Sequence, residues 1–280
     1  MFLRLPRIVP SKLLLTLADI PGVRKAYYRL FRFLPHEIML EVQRNKMYLV
    51  PTASGVELSL FLYGDYEKDQ TRVFHEVVKR GMTVVDLGAH IGYYTLIAAE
   101  LVGPEGKVFA FEPDPENFSL LQRNVDVSGY KNVALVQKAV SGKTGIAKLY
   151  LDSESWGHSL SSTEISKESI SVSVTSLDEF FSEEVRIDII KIDIEGAEGG
   201  AVEGMERILS KGDVKSIFLS SHLRELESEG SSLKEIVDKL TGFGFRFYEI
   251  SNSGMREADF LEVHYLASKR EASPVLLCLR

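Results

Sequence analysis

Val84-Val85-Asp86-Leu87-Gly88-Ala89-His90-Ile91-Gly92-Tyr93-Tyr94-Thr95 passes from an apolar run through a turn holding two glycines into a second apolar run. Read by periodicity, Met82–Leu87 is a short buried strand and Ile91–Leu101 a helix, with Gly88 and Gly92 at the junction. Glycine lets the backbone turn sharply and come close to a ligand. The spacing is not that of the dinucleotide fingerprint G-x-G-x-x-G, because Ala89 and His90 separate the glycines differently. An acid, Asp86, precedes the first glycine, where it would repel a pyrophosphate and suit a cationic ligand.

Outward from this junction, strands and helices alternate. Asp69–Arg80 reads as a helix with an apolar stripe of Val73, Phe74, Val77 and Val78. Lys107–Phe111 is the second strand and Pro115–Val127 the second helix. Val133–Val140, Ala147–Leu151 and Ile170–Val174 read as strands, with a Ser-rich loop or flap at Ser153–Ser169 carrying Trp156 and His158. Arg186–Ile192 is a buried-type strand followed by a helix near Ala197–Leu209. Val214–Leu219, the helix Leu233–Leu240, Phe245–Ile250 and Val263–Ser268 complete the series. This alternation predicts a Rossmann-like, doubly wound, mostly parallel α/β sheet, with the ligand at the carboxyl ends of the strands.

Two further strand ends carry ionisable groups. Phe109-Ala110-Phe111-Glu112-Pro113 places Glu112 20 residues after Gly92, where a carboxylate can accept hydrogen bonds from both ribose hydroxyls of an adenosine cofactor. The plainer reading is an acid favoured by the start of a helix. Ile189-Ile190-Lys191-Ile192-Asp193-Ile194-Glu195-Gly196-Ala197-Glu198 brings three acids and a lysine to the end of a buried strand. A helix start needs fewer charges than that, so Asp193 and Glu195 are candidate catalytic bases, with His222 a weaker one beyond Val214–Leu219. A cofactor with an adenosine and a positive charge but no phosphate is S-adenosyl-L-methionine, which carries an ammonium and a sulfonium. Two acids do not make a metal site, and none is expected.

In this order the motifs resemble those of the FkbM-type methyltransferases: D-x-G-A-N-x-G-x-Y/T, F-E-P, A-V-S and K-I-D-x-E-G-A-E. Here they stand as Asp86 to Thr95, Phe111-Glu112-Pro113, Ala139-Val140-Ser141 and Lys191 to Glu198, and the resemblance extends roughly from Tyr63 to Tyr248. Gly64-Asp65-Tyr66-Glu67 resembles the family's acidic segment upstream. One departure is His90, where the family has asparagine. The resemblance implies S-adenosyl-L-methionine as cofactor, bound through Glu67, Asp86, Gly88, His90, Gly92, Glu112, Ala139 and Asp193. It also implies O-methylation of sugars, glycolipids or related products, so the expected acceptor is a small molecule or glycan. The competing readings are a methyltransferase for protein or RNA and a non-catalytic cofactor-binding protein.

Composition bounds the rest. The chain has 280 residues and a formal net charge of −7, which argues against wholesale nucleic-acid binding, and no nucleic-acid partner is expected. Residues 1–46 hold nine Lys/Arg against three Asp/Glu, leaving 24 against 37 for the remainder. This basic front, with Tyr27, Tyr28, Phe31, Arg32 and Phe33 interleaved, reads as helical and irregular. Two readings stay open for it: a cap on the catalytic domain, or peripheral contact with an anionic membrane. Alternation in Met47–Val50 and Val56–Leu60 predicts a strand or hairpin. The expected division is an extension, 1–62, and a catalytic domain, 63–280. Cys278 is the single cysteine, so no disulfide framework exists, and a cytoplasmic location is expected.

Overall fold

The computed structural model describes residues 37–51, 54–151, 158–160, 168–220, 226, 231–252, 254–259 and 275–280. His222, Trp156, Val263–Ser268 and most of the basic front therefore lie outside the described residues. The chain divides into two compact units, Met1–Lys68 and Asp69–Arg280.

In the first unit, β1 (Ile38–Val42) and β2 (Asn45–Leu49) form a hairpin in which Val42 faces Asn45. Residues 38–46 are thus strand and turn, which corrects the helical expectation for that stretch. Its two-residue loop, Gln43-Arg44, has φ of 46° and 65°, the left-handed pair that hairpins normally fill with Asn-Gly. A second correction concerns Val56–Leu60, expected as strand but found in the helix α1 (Gly55–Tyr63). Capping outweighs alternation here. The Ser54 hydroxyl accepts the Glu57 N–H and donates to Glu57 Oε2 at 2.8 Å, while Glu57 Oε1 accepts the Val50 N–H at 3.2 Å.

The second unit is built on an eight-stranded sheet. Its parallel part holds β3 (Thr83–Leu87), β4 (Lys107–Phe111), β5 (Val133–Val136), β9 (Ile189–Ile192) and β10 (Ser216–Ser220), in spatial order β5-β4-β3-β9-β10. Beyond β10 come β13 (Val275–Leu279), antiparallel to both its neighbours, then β11 (Arg246–Ser251) and β12 (Gly254–Ala258). The mostly parallel, Rossmann-like sheet is as the sequence predicts. Its interior strands are buried on both faces and so read as mostly apolar runs, interrupted at Asp86 in β3 and Lys191 in β9. The chain leaves β3 toward β4 on one side, and β9 lies on the other. That reversal opens a crevice at the carboxyl ends of β3 and β9.

Helices α2 (Lys68–Val77), α3 (Tyr93–Val102), α4 (Pro115–Ser128), α5 (Leu177–Phe180), α6 (Glu198–Glu203), α7 (Glu206–Ser210) and α8 (Leu233–Gly242) alternate with the strands. The helix expected at Ala197–Leu209 is two short ones, parted at Gly204, whose backbone packs on Ser141 and leaves no room for a side chain. The expected strand Val133–Val140 likewise breaks into β5 and the two-residue β6 (Ala139–Val140). With β7 (Gly145–Leu151) and β8 (Glu168–Thr175), β6 forms a separate three-stranded sheet with its own apolar cluster around Leu149, Val172 and Val174. β13, which the sequence reading left unassigned, fills the gap between β10 and β11. Among the described residues, no helix is long and apolar enough to cross a membrane.

Burial raises the Glu57 carboxyl from its ordinary 4.5 to about 7, against the lowering effect of its bonds to Ser54 and Val50. A raised carboxyl favours folding below pH 4.5 and loses that advantage as pH climbs through 7. The full swing is at most about 3 kcal/mol. Glu57→Gln keeps the shape and removes the titration. The loss of thermal stability between pH 5 and pH 8 should therefore be smaller in the variant than in the native chain, measured by calorimetric melting at both values.

Candidate functional site

The crevice is floored by the two loops that follow β3 and β9. Gly88 and Ala89 both donate their N–H groups to the Phe111 carbonyl, at 3.0 and 2.9 Å, which ties the turn after β3 to the end of β4. Asp193 N–H donates to the Leu87 carbonyl at 3.1 Å, tying the end of β9 to β3. The two loops meet so closely that a Cβ on Gly88 would lie 1.9 Å from the Asp193 carbonyl oxygen. Gly88 also has φ of 78°, and Gly92, at 96°, starts α3 with its Cα facing Leu121.

Glu112 forms one wall. It is 5% exposed, and its oxygens accept N–H groups from His90 at 2.8 Å and Asp114 at 2.9 Å. Burial pushes its carboxyl up to about 7, with the two backbone bonds pulling the other way. A carboxylate with two such bonds still has lone pairs for further donors. His90 and Glu195 hold left-handed backbones, φ 50° and 48°, and both line the crevice. Asparagine tolerates that conformation better than most residues, which is the physical common ground between His90 and the family's asparagine. Desolvation first, and then the nearby His158, lower the His90 imidazole to about 3, so it is neutral at neutral pH.

The crevice is lined by Gly88, His90, Glu112, Ala139, Asp193 and Glu195 among the residues anticipated from the sequence. Asp86 and Gly92 are not on its wall. Asp86 is buried beneath it, with Oδ2 accepting from Thr95 Oγ1 at 2.6 Å and Oδ1 without a hydrogen-bond partner. Desolvation raises its carboxyl, opposed by Lys191 and Thr95. Glu67 belongs to the first unit, with φ of 47°. Glu198 is buried at the start of α6.

Sequence reasoning missed several lining residues. Asn117 comes from α4, Lys138 from the link between β5 and β6, Leu149 from β7, and His158 and Leu160 from the segment after it. Asp114, at the N-cap of α4, lies 3.9 Å from His158 Nε2. The D-P pair at Asp114-Pro115, a helix-start signal, and the Ser-rich flap carrying His158 both point to this corner, though neither gives its residue a site role. Ser159 hydroxyl donates to the Glu195 carbonyl, joining the three-stranded sheet's side of the crevice to the β9 loop. Among the described residues, no group of three or more His, Cys, Asp or Glu side chains could hold a metal ion.

The crevice thus combines apolar residues, Phe111, Pro113, Ala139 and Leu149, with Glu112 and a second pair of acids, Asp193 and Glu195. That arrangement, a glycine cradle at the switch point with acids in place of a phosphate site, defines an S-adenosylmethionine-dependent methyltransferase of the Rossmann-like class. The Methyltransferase FkbM domain matches residues 86–247, and the chain belongs to that family. Among curated proteins, it is similar to the protein-L-isoaspartate O-methyltransferase of Methanothrix thermoacetophila, 37% identical over 59 residues, which span 21% of this chain and 28% of that protein. It is also similar to Methyltransferase 1 of Beauveria bassiana, 26% identical over 145 residues, 44% of this chain and 58% of that one. The chain therefore matches less than two thirds of either relative's length. Among solved structures, a SAM-dependent O-methyltransferase from Thermotoga maritima aligns at 15% identity over 90% of this chain and 80% of that chain, with a TM-score of 0.44.

The close approach at Gly88 predicts a specific failure. Gly88→Ala must move the Asp193 backbone as well as hold alanine at positive φ, which alone costs roughly 1–2 kcal/mol. The variant should melt well below the native chain and show no calorimetric heat with S-adenosylhomocysteine.

Proposed function

We propose that this chain methylates a hydroxyl oxygen of a sugar, a glycolipid or a related small molecule. The observation that carries the reading is the pair of carboxylates, Asp193 and Glu195, on the crevice wall at the end of β9. Bound S-adenosylmethionine supplies a methyl group already activated on sulfonium. What the protein must add is alignment of an oxygen with that methyl and removal of a proton from a poor nucleophile. In this reading Glu112 accepts from the ribose hydroxyls, and Phe111, Pro113 and Ala139 flank the base. Asp193 faces the positively charged end, and Asp193 or Glu195 takes the hydroxyl proton. His90, kept neutral, places no positive charge against the sulfonium. Membership of the FkbM family, resemblance to which implies sugar, glycolipid or related acceptors, supports a small acceptor.

A protein acceptor is the second reading, favoured by the isoaspartate O-methyltransferases among the similar proteins. The two give chemically different products. Methyl on a hydroxyl is an ether and survives mild base, whereas methyl on a carboxyl is an ester and is released as methanol. Extracts of sugars, glycolipids and proteins incubated with the purified chain and labelled S-adenosylmethionine should yield base-stable label in the glycan or lipid fraction. Base-labile label on protein would replace the proposal with the second reading.

The Glu112 assignment adds a pH signature. Ribose hydroxyls donate to the ionised carboxylate, so binding draws on the form that exists above about pH 7. Calorimetric affinity for S-adenosylhomocysteine should rise by about tenfold from pH 6 to pH 8. In Glu112→Gln the rise should vanish, and an unchanged slope in that variant would remove Glu112 from ribose recognition.

A further inference from the structure

β9 contains a residue that packing does not explain. Its four positions, Ile189-Ile190-Lys191-Ile192, are all buried, and Lys191 is only 3% exposed. Burying an ammonium costs several kcal/mol of lost hydration, and an apolar residue of similar volume is commonly neutral or better for stability. Beside it on the neighbouring strands stand Asp86 of β3 and Phe218 of β10, in register. The ammonium lies 4.9 Å from the centre of the Tyr94 ring and donates to Asp193 Oδ2 at 2.9 Å.

Among the described residues, the charged and titratable groups near it include Asp86, Asp193, Tyr94 and His90. Asp86 is buried and off the crevice wall, whereas Asp193 lines it. Lys191 therefore stands between an interior acid and an acid on the crevice wall, across the seam where β3 and β9 part.

We propose that Lys191 is a positioning residue for the charged end of the crevice, its buried ammonium fixing the direction in which the Asp193 carboxylate points. The inference rests on the reading that Asp193 faces the cofactor's cationic end. Asp193 is one-quarter exposed, and without its partner the carboxylate would turn to water, where it is better solvated than at a crevice wall. Removing the ammonium does not strand Asp86 as a bare charge. Its carboxyl is already raised by burial, which favours the neutral form, and it keeps its bond to Thr95.

The test is calorimetric binding of S-adenosylhomocysteine to the full chain and to Lys191→Met, Lys191→Arg, Asp193→Ala and the Lys191→Met/Asp193→Ala double variant. Melting temperatures are measured alongside. Lys191→Met and Asp193→Ala should each weaken binding by about tenfold, the scale of one hydrogen bond to a charged group. The double variant should bind no more weakly than the singles, because both break the same link. Lys191→Arg should recover most of the affinity. Should Lys191→Met not fold, Lys191→Gln serves as the neutral variant. A purely structural lysine would lower the melting temperature and leave affinity at the native value, and that result overturns the proposal. Losses that simply add in the double variant also overturn it. If Asp193→Ala binds as tightly as the native chain, the preceding reading of Asp193 fails as well. If only Lys191→Met does, the positioning role fails alone.

Discussion

Everything at the crevice depends on the contact between the turn after β3 and the loop after β9, where the Gly88 backbone rests against the Asp193 carbonyl. No side chain fits between them, and the Asp193 N–H bonds to the Leu87 carbonyl just beneath. Because the loops are locked this way, the acid after β9 and the turn after β3 have fixed positions relative to one another. The Gly88 and Ala89 amides extend the lock to β4 by sharing the Phe111 carbonyl, and Glu112 follows at once. Three strand ends are thereby held as one rigid edge. Such rigidity is what a transfer reaction needs, since small misplacements of the reacting atoms are costly.

The strands around this edge were legible because they are buried on both faces. Val84-Val85, Val108 and Ile189-Ile190 are buried and apolar, so Asp86 and Lys191 stand out against their neighbours. The hairpin was not legible as such, because Gln43-Arg44 carries none of the usual turn chemistry. α1 was misread because Val56–Leu60 alternates in hydrophobicity over too short a span for periodicity to decide. Its S-x-x-E cap, Ser54 to Glu57, held the missing information. At the crevice, residues delivered by a motif could be found in advance. Lys138 and Asn117 could not, since they reach it through tertiary packing from elements whose local sequence serves other ends, and His158 stood out only as part of the Ser-rich flap.

Electrostatically the site is a study in how burial sets protonation. Glu112 and His90 touch through a backbone bond, and burial drives both toward their uncharged forms, Glu112 up to about 7 and His90 down to about 3. A neutral imidazole beside an acid that ionises near neutrality gives the Glu112 wall a charge that depends on its surroundings. Asp193 differs, because its carboxylate is paired with the buried Lys191 ammonium at 2.9 Å. One crevice thus handles charge by two different means.

The position of β13 has a consequence for how the chain assembles. Residues 275–279 sit between β10 and β11, although β11 precedes them by more than twenty positions. During synthesis from the N-terminus, β3, β4, β9 and β10 can pair as they emerge, but β11 and β12 have no strand to dock on until β13 arrives. Until then β10 presents an open edge of Ile217, Phe218 and Leu219, all fully buried in the finished sheet. An apolar, unpaired edge of this kind is a template for association with other chains. The interval between the emergence of β10 and that of β13 is therefore one in which the growing polypeptide is exposed to aggregation.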